Sequence, residues 1–229
     1  MDLTELDAVG GFFALRTGPS GGGAAPLARL YAGETAPLIT RIDTVAERLG
    51  ATERRVAASV AHLGLAARLW SIALGSAALY GQIPDLDPAR LHWAPERGAP
   101  DDLWLTGSGS RSATAATVRE AVQYGHLVPF ADALRRDTTV SRQLLWGNAG
   151  SALAGAARTL ADWARRGGRT GVAERAAALA AELLSHPDLA GTVRGPAMRR
   201  STCCLYYRVP GGGLCGDCVF DRPPRRTAQ

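Results

Sequence analysis

The sequence predicts a mainly α fold: a helical body with a small β-hairpin, followed by a C-terminal cysteine-rich segment. Three observations carry this expectation. Apolar residues recur at steps of three and four across 56–74 and again across 144–163, the spacing of one helix face. Between those runs, Pro84, Pro88, Pro95 and Pro100 preclude a long helix over 83–106, because proline lacks the N–H and its ring clashes with the preceding turn. All four cysteines, finally, fall within 203–218. Thiols used as small core hydrophobes would be scattered along the chain instead.

Residues 1–40 are weakly patterned. A short packed element is expected over 10–15 and a flexible glycine-rich loop over 17–23. A helix should begin near Thr40, capped there or at Thr44, and stop at Gly50. Thr52 then caps a long helix with Val56, Val60, Leu63, Ala67, Trp70 and Leu74 on one face and Leu65, Leu69 and Ile72 on a second. A helix this apolar is either a buried core element or a membrane span. Arg68 decides between them: mid-bilayer it would cost about 2.5–3.5 kcal/mol, and the flanks lack a basic-inside pattern. No integral membrane span is expected.

Leu91-His92-Trp93 and Leu103-Trp104-Leu105 read as the two strands of the hairpin. Helices follow over about 112–124, 127–136, 139–165 and 172–185, the last ending at His186-Pro187. Within the third, Leu144, Asn148, Ser151 and Gly155 form a seam of small and polar groups. A helix, the cysteine segment or a ligand can approach closely there. The chain thus divides into a helical body, 1–190, and a cysteine segment, 191–229.

In that segment Cys203-Cys204 is separated by ten residues from Cys215-Gly216-Asp217-Cys218, with Pro210 and Gly211-Gly212-Gly213 letting the chain reverse. The Cys-Gly-Asp-Cys turn aims two sulfurs at one point and leaves backbone N–H groups facing inward. Adjacent Cys203 and Cys204 suit a binuclear centre, where neighbouring thiolates need not share one metal. Paired zinc ligands are more often two to four residues apart. Structural zinc, disulfides and unligated thiols stay open as alternatives on spacing alone.

Charge supports a metal centre. Residues 1–188 carry 19 Arg against 19 acidic groups, whereas 189–229 carry 7 Arg against Asp217 and Asp221, the whole of the +5 net charge. A four-thiolate iron–sulfur centre is about −2 when oxidised, so surrounding cations favour it. The tail has no nucleic-acid motif and no aromatic interleaving, and nucleic acid is not an expected partner. There is no lysine at all, which excludes the phosphate-binding loop and Schiff-base chemistry. The chain has no G-x-S-x-G, H-E-x-x-H or strand-linked G-x-G-x-x-G either. With no home for nicotinamide or flavin, an electron must arrive from another protein or a small reductant. The start is acidic through Asp7 and its first basic residue is Arg16, the reverse of a secretory signal. A cytoplasmic location, with reduced thiols, is expected.

The spacing C-C-x10-C-x2-C resembles the C-terminal motif of the FhuF-type ferric-siderophore reductases. More loosely, Gly64-Leu65-Ala66-Ala67-Arg68-Leu69-Trp70 and Leu144-Leu145-Trp146-Gly147-Asn148 look like segments of that family's helical body. The resemblance implies a [2Fe-2S] cluster on Cys203, Cys204, Cys215 and Cys218, and one-electron reduction of Fe(III) held by a siderophore of the hydroxamate type. The body would then bind the ferric siderophore, with Arg68, Asn148 and Trp146 as candidate contacts. An ion pair with another helix of the body is the plainer expectation for Arg68, and a structural hydrogen bond for Asn148. Arg200 and Arg208 flank the ligands and are expected to favour the added charge of the reduced centre.

Overall fold

A computed structural model describes residues 3–19 and 22–224. Met1 and Asp2 of the acidic start, Ser20 and Gly21 of the glycine-rich loop, and Arg225 and Arg226 of the basic tail lie outside the described residues. The architecture is mainly helical, with small strands and the cysteine-rich segment as expected.

The chain opens with α1 (Thr4–Val9) and a turn that buries Phe13 and Leu15. β1 (Arg16–Thr17) and β2 (Ala25–Pro26) follow, then α2 (Leu27–Tyr31) and α3 (Ala36–Leu49). α3 begins four residues before the expected Thr40. Pro37 in its first turn supplies a helix-ready φ where no N–H is needed. Gly50 ends it in the left-handed conformation, φ 59°, as the sequence predicts.

α4 (Arg54–Tyr80) is the centre of the fold, packed against α3, α7 (Arg142–Arg166) and α8 (Thr170–Ser185). Its most apolar 18-residue window is 78% buried inside the protein, so its surface is covered by protein on nearly all sides. At Gly75 a Cβ would lie 2.7 Å from Leu6 Cδ2 and 2.9 Å from Phe13 Cδ1. The missing side chain is what lets the N-terminal segment lie against this helix.

The expected hairpin forms from β4 (Leu91–Trp93) and β5 (Leu103–Leu105), antiparallel, with His92 opposite Trp104. It is the middle of a four-stranded sheet, with β1 parallel beside β5 and β2 antiparallel beside β4. β3 (Gln82–Pro84) and β6 (Ser110–Ser112) pair separately. Strands of two residues are too short to show a period, which is why the sequence carried no signal for β1 and β2.

The helices expected over 112–124 and 127–136 form one continuous run: α5 (Ala115–Arg119), a π-helical stretch Glu120–Leu127, and α6 (Val128–Asp137). Gly125 is where a Cβ would stand 3.3 Å from the Glu120 carbonyl, and Pro129 lacks the N–H of an ordinary α turn. The wider turn accommodates both. Within it, buried His126 donates from Nε2 to the Leu86 carbonyl at 2.6 Å and accepts from Tyr31 Oη at Nδ1, 2.9 Å away. Burial lowers its pKa to about 4, so it is a neutral structural imidazole at pH 7.

Arg68 lies in the core. Its Nε donates to Asp102 Oδ1 at 2.8 Å, and its other nitrogens reach the carbonyls of Gly11, Phe12 and Pro100. The partner comes from the loop before β5 and not from a helix. The N-terminal turn and that loop are therefore tied to α4 through one guanidinium.

Candidate metal centre

The cysteine segment is delivered by a hairpin, β7 (Val193–Arg194) with β8 (Arg199–Arg200), lying against α7. Two glycines on α7 make that approach possible. A Cβ at Gly147 would fall 1.9 Å from Thr202 Oγ1, and one at Gly150 would fall 2.0 Å from Thr192 Oγ1.

After Cys203 and Cys204 the chain adopts a left-handed residue, Leu205, φ 69°. This reversal points the Leu205 N–H back at Cys203 Sγ, 3.2 Å away. A single 3-10 turn, Tyr206–Arg208, follows. Gly212 closes the bend: a Cβ there would stand 2.6 Å from the Tyr206 carbonyl oxygen. In the second pair, Cys218 N–H donates to the Cys215 carbonyl at 3.1 Å and Phe220 N–H approaches Cys218 Sγ at 3.5 Å. β8 braces this turn from behind, with Arg200 N–H on the Asp217 carbonyl and Arg199 Nε on the Cys218 carbonyl.

The four thiols are free and mutually close. The Cys215 thiol beside it lowers Cys204 to about 7, and the same pairing raises Cys215. Burial raises Cys203, which also senses Cys218 and Cys215. Among the described residues no three His, Cys, Asp or Glu side chains converge as they would on a single ion. The donor set suits a centre of two irons: four soft sulfurs, inward N–H groups, and a cation beside them.

That cation is Arg200, 2% exposed. Its Nε donates to the Thr202 carbonyl at 2.6 Å and its Nη2 to Asn148 Oδ1, while its buried Nη1 has no partner among the described residues. The charge lowers the pKa of Cys204 and opposes the upward shifts of Cys203 and Cys215. An unspent N–H next to clustered thiolates is what a sulfide or thiolate of the centre requires. Arg208, expected to share this task, pairs with Glu53, the residue that precedes α4.

Asn148 is fully buried and joins body to segment. Its Nδ2 donates to the Ser59 carbonyl at 2.9 Å and to Ser59 Oγ at 3.2 Å; Ser59 Oγ in turn donates to the Cys204 carbonyl at 2.8 Å. Ser151, on the same seam of α7, donates to Asp217 Oδ2 at 2.5 Å. Reasoning from sequence missed Ser59, although a serine between Val56 and Val60 on an apolar face was a usable signal.

The three candidate substrate contacts do not converge on one cavity. Arg68 and Asn148 are buried with the partners described above. Trp146 is half-buried and lines an open recess of about 600 Å³ with Arg142, Arg194 and Thr202.

Replacing Gly147 with alanine is expected to lower cluster content sharply. Alanine favours the helix by about 1 kcal/mol, but overpacking against Thr202 costs about 1–3 kcal/mol. Turning the threonine does not relieve it, because Thr202 Cβ itself would lie 3.2 Å from the new methyl. Thr202 Oγ1 has no hydrogen-bond partner among the described residues, so adding Thr202→Ala should restore iron content without a polar penalty. An iron and sulfide assay on the single and double variants checks this; full occupancy in Gly147→Ala overturns it.

Residues 200–220 match the family model of the FhuF 2Fe-2S C-terminal domain. No curated protein matches the chain. The matched stretch holds all four cysteines and Arg200. Over residues 200–220 the cysteine segment is thus similar to FhuF-type 2Fe-2S C-terminal domains, and its cofactor is a [2Fe-2S] cluster.

Proposed function

We propose that the protein is a cytoplasmic ferric-siderophore reductase that releases iron by one-electron reduction of Fe(III) to Fe(II), with hydroxamate-type complexes as substrate. The supporting observation is the FhuF 2Fe-2S segment set in a helical body, with one ligand, Cys215, on the wall of an open recess. When bound, the [2Fe-2S] centre supplies single electrons. Hard oxygen donors hold Fe(III) far more tightly than Fe(II), so one electron turns a tight chelate into a labile one.

The chain's own residues prepare that step. Arg200 holds a positive charge beside the thiolates, which favours the state carrying the extra electron. The N–H groups of Leu205 and Phe220 do the same at Cys203 and Cys218. Ser59 and Asn148 fix the backbone of Cys204, keeping the ligand geometry constant through the change. The electron donor is another protein or a small reductant.

Rapid mixing of dithionite-reduced protein with a ferric trihydroxamate, with an Fe(II) trap present, tests the reading. Loss of the reduced spectrum and trapped Fe(II) should appear together within seconds. If the protein stays reduced for minutes while simple ferric salts oxidise it, it is a [2Fe-2S] electron carrier that takes no siderophore.

A further inference from the structure

Cys215, Gly216 and Asp217 form one wall of a recess of about 410 Å³, within the usual range for small-molecule sites. α7 forms its floor with Ser151, Ala152, Gly155 and Ala156, and α4 contributes Leu63 and Ala67. The N-terminal turn supplies the opposite lip. There Phe12 is 48% exposed, a large aromatic left in water at the mouth of a cavity. Its position is not loose, because buried Arg68 holds the carbonyls of Gly11 and Phe12.

We propose that this recess is the docking site of the ferric chelate and that it selects a complex of low net charge with apolar limbs. The inference rests on the reductase reading and locates its substrate. Three features carry it. The recess is continuous with a ligand of the electron-supplying centre, so a chelate seated there lies against Cys215. Its lining is mainly aliphatic and aromatic, suited to the methylene chains between hydroxamate groups. Its formal charges are one cation, Arg158, and one carboxylate, Asp217. Asp217 is already engaged by Ser151, whereas Arg158 is exposed at the rim with no ion pair among the described residues.

Charge then decides between chelate classes. A ferric trihydroxamate is close to neutral and gives up little hydration on entry. A ferric tris-catecholate carries three negative charges. In the recess it would meet one rim guanidinium, a carboxylate, and a centre that is itself negative. Arg158 and the Thr159 hydroxyl are enough to donate to the oxygens of a compact neutral complex, not to offset a trianion.

Gly155 makes the space: a Cβ there would meet nothing within 4 Å and would project into the recess. The test uses the cluster-loaded protein and the redox-inert gallium(III) complex of a linear trihydroxamate, with binding followed by calorimetry. Gly155→Leu and Phe12→Ala are each expected to weaken binding about tenfold while leaving the visible spectrum unchanged. Trp146→Ala, in the other recess, should leave binding as it is. The gallium(III) tris-catecholate should bind more weakly than the trihydroxamate.

Equal gallium-complex binding by wild type, Gly155→Leu and Phe12→Ala overturns the docking site, as does a loss confined to Trp146→Ala. Preference for the tris-catecholate overturns the charge argument. Both failures leave the reductase reading intact if electrons still reach the ferric trihydroxamate. If no complex binds and none accepts electrons, that reading falls as well.

Discussion

Cys204→Ser is expected to remove the visible absorption of the purified protein and to loosen 199–220, while the helical body stays folded. Cys204 is the most buried of the four cysteines, 2% exposed, with its carbonyl held by Ser59. Serine offers a hard, protonated oxygen where the centre needs a soft thiolate. Binding of the metal centre is also folding energy for the segment that supplies its ligands. Without it, two short strands, a 3-10 turn and a glycine-rich bend have little else to bury. Hydrogen exchange should therefore rise strongly over 199–220 and little in α4 and α7. Cys203→Ser, Cys215→Ser and Cys218→Ser should behave alike, and an unaltered spectrum in any one of them removes that residue from the ligand set.

Asp102→Ala should destabilise the body itself, by about 3–5 kcal/mol. The Arg68–Asp102 pair is almost fully dehydrated, with side-chain exposures of 1% and 4%. Removing the carboxylate strands a guanidinium among apolar side chains with only backbone carbonyls around it. Against a usual total of about 5–15 kcal/mol, that is a large share. The companion double variant, Arg68→Met with Asp102→Ala, removes the stranded charge and should recover part of the loss. Urea denaturation followed by circular dichroism reads both. A single variant within about 1 kcal/mol of wild type would mean that the three carbonyls suffice for the cation.

What was legible in the sequence was what is local. The four cysteines lie within one short stretch, and the long period of α4 needs only its own residues to be seen. Arg68 showed that it needed a partner, since a charge in an apolar run always does, but the partner's identity depends on how a loop folds back. The hairpin was visible because β4 and β5 are near in sequence and rich in Leu and Trp. β1 and β2 were not, because two residues have no period and their partners, β5 and β4, lie far along the chain. The same holds at the centre. Asn148 reaches Ser59 across 89 positions and Arg200 across 52, separations over which a single sequence carries no pairing signal. The π-helical stretch escaped notice because its side chains alternate much as an α-helix's do, and only the backbone register differs.

The hydrogen bond from Ser59 to the Cys204 carbonyl joins positions 145 residues apart, and that interval is also a length of time on the ribosome. At about 5–20 residues per second, Cys204 is polymerised roughly 7–30 s after Ser59, and Arg200 about 3–10 s after Asn148. Helices form and pack in far less than a second. α4 and α7 therefore meet while the cysteines are still to be translated, and Ser59 and Asn148 face water in the interim. The nascent body presents an open polar cleft, and the later-emerging cysteine segment closes it. Insertion of the metal centre then acts on a scaffold already built.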